Sequence, residues 1–294
     1  MRILLTGASG FIGQHFLKQI FAQQPQSRIL ALGRSAVSLP EGSQFIATDL
    51  NQISQDVIAA IKAFAPTVCV HLAWQGIPDY SLEQSLANLQ ASTQFLEQVL
   101  TQTDCKKIVV TGSCAEYGRH HGACQETDPL TLRSHFAWAK ESLRQWLTWR
   151  CQSEEAALIW LRLFYVYGPG QREGALIPGL TRALKQGQSP DVRTPQAAHD
   201  FVQVTDVARH LVHAVYTSLP AGIYNLGTGQ VTEVQEICQQ IIHALGGEPP
   251  ATAPPAAEAP RFWADLDKTR SHFDCSSLYT IEQGISEYLR ESSL

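Results

Sequence analysis

The sequence predicts an α/β protein built on a doubly wound parallel sheet, with a smaller C-terminal lobe. Through the first half of the chain, short apolar runs alternate with amphipathic stretches, which is the pattern of βαβ units. A glycine-rich segment directly follows the first apolar run, and the pattern becomes irregular beyond Gly168. We therefore expect a first domain over 1–165 and a smaller lobe mainly within 166–294, with some segments returning to the first domain.

The alternation assigns each element in order. The strands expected in the first domain are 2–6, 28–32, 44–47, 67–72, 107–111 and 157–163. The long helices expected there are 11–22, 82–100 and 134–150. In the smaller lobe we expect helices over 176–187 and 206–217 and strands over 200–204 and 224–226. Thr232, with Gln235 three residues later, predicts the N-cap of a further helix that ends at Ala244.

Composition excludes several classes of protein. A chain of 294 residues with 44% hydrophobic content can bury a full core. Its net charge of −5 is not concentrated in any block, which disfavours nucleic acid or an anionic membrane as the main partner. The seven cysteines form no Cys-x-x-Cys pair, so we expect reduced thiols and no metal site. The absence of a leader-like segment or an apolar run of about 18 residues predicts a cytoplasmic protein.

The glycine loop GASGFIG, at 7–13, predicts a dinucleotide site. It follows a strand and opens a helix, which is the context that such a loop requires. Gly7 permits the tight turn, Gly10 lets the backbone approach a pyrophosphate, and Gly13 allows close packing of helix on strand. The N-terminus of the helix then faces the phosphate charge. The other expected cofactor contacts of the loop are Ser9, Phe11 and Ile12.

The residues after the second and third strands indicate which dinucleotide is bound. A site specific for NAD needs an acid after the second strand, and here Arg34 and Ser35 stand there instead. A guanidinium suits a 2′-phosphate, so the sequence favours NADP, with NAD as the alternative. Asp49 and Leu50 follow the third strand and are expected to lie against the adenine.

Six motifs carry a resemblance to a known family. They are TGASGFIG at 6–13, HLAW at 71–74, TGSCAEYG at 111–118, RLFYVYGPG at 162–170, DFVQVTDVA at 200–208 and GIYNLGTG at 222–229. In these motifs the chain resembles the extended short-chain dehydrogenases/reductases, and among them the NAD-dependent epimerase/dehydratase family. The resemblance covers nearly the whole chain. It implies a Rossmann-type fold with a smaller C-terminal substrate-binding lobe, and a nucleotide-diphosphate sugar as substrate. It also implies a homodimer formed through the two longest helices.

The segment from Phe136 to Lys140 has the spacing of the superfamily's Tyr-x-x-x-Lys signature, with phenylalanine in place of tyrosine. On a helix, residues four apart share a face, so both side chains would point into one pocket. A tyrosine there could transfer a proton, with the lysine lowering its pKa, and a phenyl ring cannot. Either this is a Tyr→Phe variant that turns over poorly, or another group is the acid. Candidates for that group are His135, Tyr117, Tyr165, Glu116 and water.

The resemblance also implies roles for other residues. Ser113, four residues before Tyr117, would donate a hydrogen bond to the reacting sugar oxygen, and Lys140 would hold the nicotinamide ribose. Further cofactor contacts would come from Leu72, Ala73 and Leu163. His71, at the end of a buried strand, is expected to be a satisfied core residue. Expected substrate contacts are Trp74, Cys114, Glu116, Tyr165, Arg172, Arg193 and His199, where Tyr165 replaces a common Asn and His199 a common Arg.

Departures from the family pattern narrow the reaction. Cys114 and Ala115 stand where 4,6-dehydratases carry an Asp-Glu pair, which disfavours dehydration. Ala115 and Ala175 stand where epimerase-reductases of the GDP-fucose type carry Cys and His. We therefore expect an NADP-dependent oxidoreductase of a nucleotide-activated hexose, a 4-keto-6-deoxy sugar reductase. The alternatives are a nucleotide-sugar epimerase or isomerase that uses another acid, and a non-catalytic NADP-binding sensor.

Overall fold

A computed structural model describes residues 1–118, 120–188, 194–246 and 261–291. The chain divides into two compact units, of which unit 1 comprises Met1–Gly118, Pro129–Arg162 and Ala208–Tyr224. Unit 2 comprises Arg119–Asp128, Leu163–Val207 and Asn225–Leu294. In the part of the chain that is described, no helix combines the length and apolar character needed to cross a bilayer.

The described strands and helices are as follows. The strands are β1 (Arg2–Thr6), β2 (Arg28–Gly33), β3 (Gln44–Ala47), β4 (Val68–His71), β5 (Lys107–Ser113), β6 (Gly122–Cys124), β7 (Ala157–Leu163), β8 (Tyr165–Tyr167), β9 (Ala198–His199), β10 (Phe201–Gln203), β11 (Gly222–Leu226), β12 (Thr232–Glu233) and β13 (Arg261–Ala264). The helices are α1 (Phe11–Gln23), α2 (Gln55–Phe64), α3 (Leu82–Gln102), α4 (His135–Ser153), α5 (Leu176–Lys185), α6 (Val204–Tyr216), α7 (Val234–Ala244), α8 (Asp267–Arg270) and α9 (Ile281–Glu291). A 3₁₀ helix covers Cys114–Tyr117.

The main sheet has seven strands in the order β11-β7-β5-β4-β1-β2-β3. β1 pairs in parallel with β2 and with β4, so that Leu4 lies between Leu30 and Cys69. All three side chains are fully buried, as expected of parallel strands covered on both faces. The strand order reverses between β1 and β4, and ligands of such sheets bind at the carboxyl ends of the strands at that point. The predicted fold class is confirmed.

Several predicted boundaries differ from the structure. The expected strand 107–111 continues to Ser113, and the expected strand 200–204 ends at Gln203, where α6 begins. Thr232 is not a helix cap, because it pairs with His199 in a strand. Glu233 takes the cap position instead, in a reciprocal capping box with Glu236.

Unit 2 contains a four-stranded sheet, in the order β12-β9-β13-β6, and the pair β10-β8. Its core includes Ile177, Ile237 and Ile285, from α5, α7 and α9. Asp200 is fully buried and accepts hydrogen bonds from the backbone of residues 228, 229 and 264. A side chain at Gly227 would meet Asp200, because a Cβ there would lie 2.4 Å from its Oδ2. The DFVQVTDVA and GIYNLGTG motifs therefore meet in a structural hydrogen-bond network, and the predicted substrate-binding role of this lobe stays a prediction.

Candidate active site

The glycine loop joins β1 to α1 and leaves the start of the helix open. Gly7 has φ +76°, and a Cβ there would lie 2.7 Å from the backbone nitrogen of Ala73. A Cβ at Gly13 would lie 2.1 Å from the carbonyl oxygen of Gly7. Gly10 is the N-cap and provides no capping side chain, so the N–H groups of Phe11 and Ile12 face outward from the first turn. This cradle fits the pyrophosphate of a dinucleotide.

The residues predicted to bind the adenosine lie at the carboxyl ends of β2 and β3. Arg34 and Ser35 follow β2 directly and are exposed, and Leu50 is buried. Asp49 Oδ1 accepts hydrogen bonds from the backbone N and Nδ2 of Asn51, at 2.9 and 2.8 Å. These bonds, the backbone one foremost, lower the pKa of Asp49, and Arg34 lowers it further. Asp49 is therefore ionised at neutral pH, and its Oδ2 remains as an acceptor for a ligand.

His71, at the end of β4, is a structural residue. Its Nδ1 lies 2.8 Å from Thr6 Oγ1, and its Nε2 lies 3.0 Å from Ser92 Oγ. The ring stacks on Phe95, and burial lowers its pKa to about 3. The expectation that His71 is a satisfied core residue is confirmed. The neighbouring Leu72 and Ala73 pack against the glycine loop, where the backbone nitrogen of Leu72 donates to the Thr6 carbonyl.

Phe136 lies in the first turn of α4, between two other aromatic rings. Its ring centroid is 5.7 Å from that of Trp74, edge to face, and 5.1 Å from that of Tyr80. Trp74 also contacts a charged group, because Lys140 Nζ lies 4.0 Å from the centroid of its ring. The prediction that residues 136 and 140 share one face of a helix is confirmed by their common contact with Trp74. We call Tyr80, Phe136 and Trp74 the aromatic row.

Lys140 is buried beside the end of β5. Only 5% of the residue is exposed, and Nζ donates a hydrogen bond of 2.8 Å to the carbonyl oxygen of Thr111. Burial lowers the pKa of Lys140 to about 7, and the Glu116 carboxylate opposes this shift. His71 also interacts with Lys140, and it is neutral near pH 7 because of its own lowered pKa.

We expect the affinity for a nicotinamide cofactor to weaken as pH rises from about 7 to about 9. We predict that Lys140 holds the cofactor through its ammonium, the form that is lost as pH rises above a pKa of about 7. Affinity should therefore be fully present below that pH and decline above it. Calorimetric titration at several pH values tests this, with Lys140→Met as the control that flattens the profile. Equal affinity at all these pH values in the unchanged protein would contradict it.

Ser113 ends β5 and caps the 3₁₀ helix that follows. Its Oγ accepts a hydrogen bond of 3.1 Å from the backbone nitrogen of Ala115. Its own backbone nitrogen donates to Glu116 Oε1 at 2.8 Å. The side chain is half-buried, and its hydroxyl hydrogen remains to donate to a ligand oxygen. Ser113 stands two residues after Thr111, which receives the Lys140 hydrogen bond, so both chemical groups lie at the same strand end.

Glu116 is a buried structural residue, and the prediction that it binds a sugar hydroxyl is wrong. It is fully buried, and its Oε2 accepts hydrogen bonds from Arg162 Nε at 2.7 Å and Trp160 Nε1 at 3.2 Å. Both oxygens are thus occupied by protein donors. A side chain at Gly112 would displace this network, because a Cβ there would lie 2.1 Å from Trp160 Nε1. Burial raises the pKa of Glu116, and the Arg162 charge opposes the rise.

The other residues predicted to contact the cofactor or the substrate differ in their exposure to solvent. Cys114 and Leu163 are buried, whereas Arg172 is exposed, and Arg193 lies outside the described residues. Tyr165 stacks on His199 with ring centroids 4.1 Å apart. Burial lowers the pKa of His199 to about 4, so its ring is neutral at pH 7 and cannot replace the charge of an arginine. The roles of these residues toward a substrate stay predictions.

Comparison with known proteins decides the family. A sequence model of the NAD dependent epimerase/dehydratase family matches residues 3–227. The chain belongs to this family. The match includes the glycine loop and the segment from Phe136 to Lys140, so the resemblance recognised in the sequence is confirmed. The chain is thus a member of a family of nucleotide-sugar enzymes.

Relatives and solved structures agree with this membership. A dTDP-6-deoxy-L-talose 4-dehydrogenase (NAD(+)) of Aggregatibacter actinomycetemcomitans is 26% identical over 245 residues, 82% of this chain and 90% of that protein. A dTDP-6-deoxy-L-talose 4-dehydrogenase (NAD(P)(+)) of Kitasatospora kifunensis is 25% identical over 283 residues, 91% of this chain and 87% of that protein. The structure of a dTDP-glucose 4,6-dehydratase of Bacillus anthracis in complex with NAD matches the fold with a TM-score of 0.84. That match has 21% identity and covers 100% of this chain and 96% of the other.

Proposed function

We propose that the chain is an NAD(P)-dependent oxidoreductase that reduces the C4 carbonyl of a nucleotide-activated 4-keto-6-deoxyhexose. The observation that carries this proposal is the placement of Lys140 and position 136 on one face of α4, against Trp74. Ser113, at the end of β5, supplies the hydroxyl that such a site needs. The two relatives named as 6-deoxy-L-talose 4-dehydrogenases support a reaction at C4 of a 6-deoxy sugar.

Each side chain then has a defined task. A bound nicotinamide cofactor would supply a hydride. Ser113 donates a hydrogen bond to the carbonyl oxygen and so stabilises the negative charge that develops there. Lys140 holds the cofactor's ribose through its ammonium. Position 136 would ordinarily supply the proton, and a group of this kind contributes roughly 10²–10⁴-fold in rate. With Phe136 in place, the chain should bind its ligands and turn over slowly.

A panel assay tests the function. The protein is mixed with NADPH or NADH and with 4-keto-6-deoxyhexoses carrying dTDP, CDP, GDP or UDP, and loss of the reduced cofactor is followed. We expect slow, saturable consumption with one of these sugars. In a parallel assay, the nucleotide hexoses carry a hydroxyl at C4, and inversion at that carbon without net consumption of cofactor would favour the epimerase. Binding of cofactor with no thermal shift from any nucleotide sugar would favour a sensor.

We further propose that the preferred cofactor is NADP(H). Arg34 and Ser35 follow β2 directly, and no acid stands there to accept hydrogen bonds from a 2′-hydroxyl. Arg34→Ala should weaken NADPH binding by about 1.5–3 kcal/mol, the range of a charge-assisted hydrogen bond, and leave NADH binding almost unchanged. Calorimetry on both cofactors measures this. Arg28→Ala, at the opposite end of the same strand, is the control, and NADH binding as tight as NADPH binding would refute the preference.

We also propose a cytoplasmic homodimer formed through α3 and α4. Apolar side chains exposed on these two helices support it, because large exposed apolar groups often mark protein interfaces. The exposed fractions are 48% for Leu82, 44% for Leu86, 39% for Trp138 and 61% for Trp149.

A further inference from the structure

The aromatic row contains one residue that can release a proton. Of its three members, Phe136 has no acidic hydrogen and Trp74 only an indole N–H, whereas Tyr80 carries a phenol. The ring of Tyr80 lies 5.1 Å from that of Phe136, centroid to centroid, with the planes tilted by 51°. Tyr80 is 45% exposed. A phenol is thus in direct contact with the ring that stands where the family carries its tyrosine.

The loop that carries Tyr80 is held in place at both ends. Before it, the backbone nitrogen of Asp79 donates to the carbonyl of Gly76 at 2.6 Å, in a turn where Gly76 has φ +82°. After it, the backbone nitrogen of Ser81 donates to Asp79 Oδ1 at 2.9 Å. Ser81 then caps α3 through its hydroxyl. The backbone is therefore anchored on both sides of Tyr80, directly before the cap of α3, and the Tyr80 ring packs on Phe136. Such anchoring favours a positioned acid.

The other candidate acids are placed less well. Glu116 and Tyr117 are fully buried, and Arg162 lies over the Tyr117 ring at 4.7 Å. His135 is exposed and precedes Phe136 directly, and adjacent residues on a helix do not face the same side. Tyr165 stacks on His199 within unit 2.

We propose that Tyr80 is the proton donor of this enzyme, in place of the hydroxyl that Phe136 lacks. This rests on the proposed function. In the reaction, the sugar C4 gains a C–H bond by accepting a hydride from the reduced cofactor, and the π electrons of the carbonyl move to its oxygen. That oxygen takes the proton of the Tyr80 phenol, so the ketone becomes an alcohol. The phenolate regains a proton from water, to which the exposed side of Tyr80 gives access.

The test compares the unchanged protein, Tyr80→Phe, Phe136→Tyr and the double variant. Tyr80→Phe keeps the ring and its packing, so the melting temperature should be unchanged. It should lower kcat at least tenfold in the unchanged background and less than about twofold beside Tyr at position 136, where a second donor is present. In protein without cofactor, Tyr80→Phe should also weaken calorimetric binding of the nucleotide 6-deoxyhexose product about 3–10-fold, the loss of one hydrogen bond.

Each outcome decides the proposal. Equal turnover and equal product binding with and without the Tyr80 hydroxyl would overturn it. Turnover that appears only in the two proteins with tyrosine at position 136, and equally in both, would also overturn it, while leaving the proposed function in place. No turnover of any keto sugar by any of the four proteins would reject the proposed function, and the role of Tyr80 with it.

Discussion

Phe136→Tyr is expected to raise turnover on a nucleotide 4-ketohexose at least tenfold, since a positioned acid contributes about 10²–10⁴-fold. Residue 136 lies one helical turn before Lys140, and its half-buried ring already packs between Tyr80 and Trp74. The substitution adds one oxygen and leaves the packing of the ring unchanged, so folding should be preserved. A phenol at position 136 would be carried by α4 and would lie on the same face of that helix as Lys140. It should therefore transfer its proton faster than the phenol of Tyr80, which is carried by a loop. Loss of reduced cofactor at saturating keto sugar measures the rate.

A second substitution separates the hydroxyl at 136 from a general effect on packing. Ser113→Ala in the tyrosine background should remove most of the gain, because both hydroxyls would bond the same sugar oxygen. Phe136→Leu removes the ring and adds no proton donor, so it should not raise turnover. A Phe136→Tyr protein no faster than the unchanged chain would show that position 136 is not an acid site here.

Glu116→Gln is expected to lower the free energy of unfolding by about 3–5 kcal/mol, the usual cost of removing one partner from a buried ion pair. Arg162 is only 1% exposed in its side chain, and Glu116 is its nearer carboxylate, at 2.7 Å against 3.6 Å for Glu141. The glutamine would leave that guanidinium without its closest counter-charge. It would also weaken the acceptor for the backbone nitrogen of Ser113, at 2.8 Å, so the end of β5 should loosen.

Urea denaturation followed by tryptophan fluorescence measures this loss. The matched control is Glu97→Gln, which removes the charge that contacts Arg150 at 2.8 Å. That pair is in contact with water, with the Glu97 side chain 38% exposed, so its loss should cost far less. A loss from Glu116→Gln no larger than that from Glu97→Gln would contradict the structural role.

The parts of this molecule that depend on local periodicity could be predicted from the sequence. The parallel sheet follows from the alternation of apolar runs, and the common face of Phe136 and Lys140 follows from helical spacing. The glycine cradle follows from a loop in which Gly7 and Gly13 leave no room for a Cβ. In each case the residues that interact are close in sequence, or their pattern repeats with the period of one element.

The parts that depend on distant contacts could not be predicted in the same way. Glu116 accepts a hydrogen bond from Arg162, which is 46 residues away in sequence. Tyr80, in the loop before α3, packs on Phe136 of α4. One signal not used above could have indicated the first contact: an arginine inside the apolar run of β7 needs a buried counter-charge. Nothing local marks Tyr80, which lies in a polar loop. The shift of the α7 cap from Thr232 to Glu233 likewise depends on the pairing of Thr232 with β9.

The most direct test of the proposed reduction is to follow the hydride from the cofactor to the sugar. Phe136→Tyr protein is allowed to react with a nucleotide 4-keto-6-deoxyhexose and with reduced cofactor in which both hydrogens at C4 of the nicotinamide are replaced by deuterium. The sugar product is then examined by NMR spectroscopy and mass spectrometry. We expect one deuterium atom at C4 of the sugar product for each cofactor molecule that is consumed. A keto sugar that stays unreduced, or a reduced product without deuterium at C4, would contradict it.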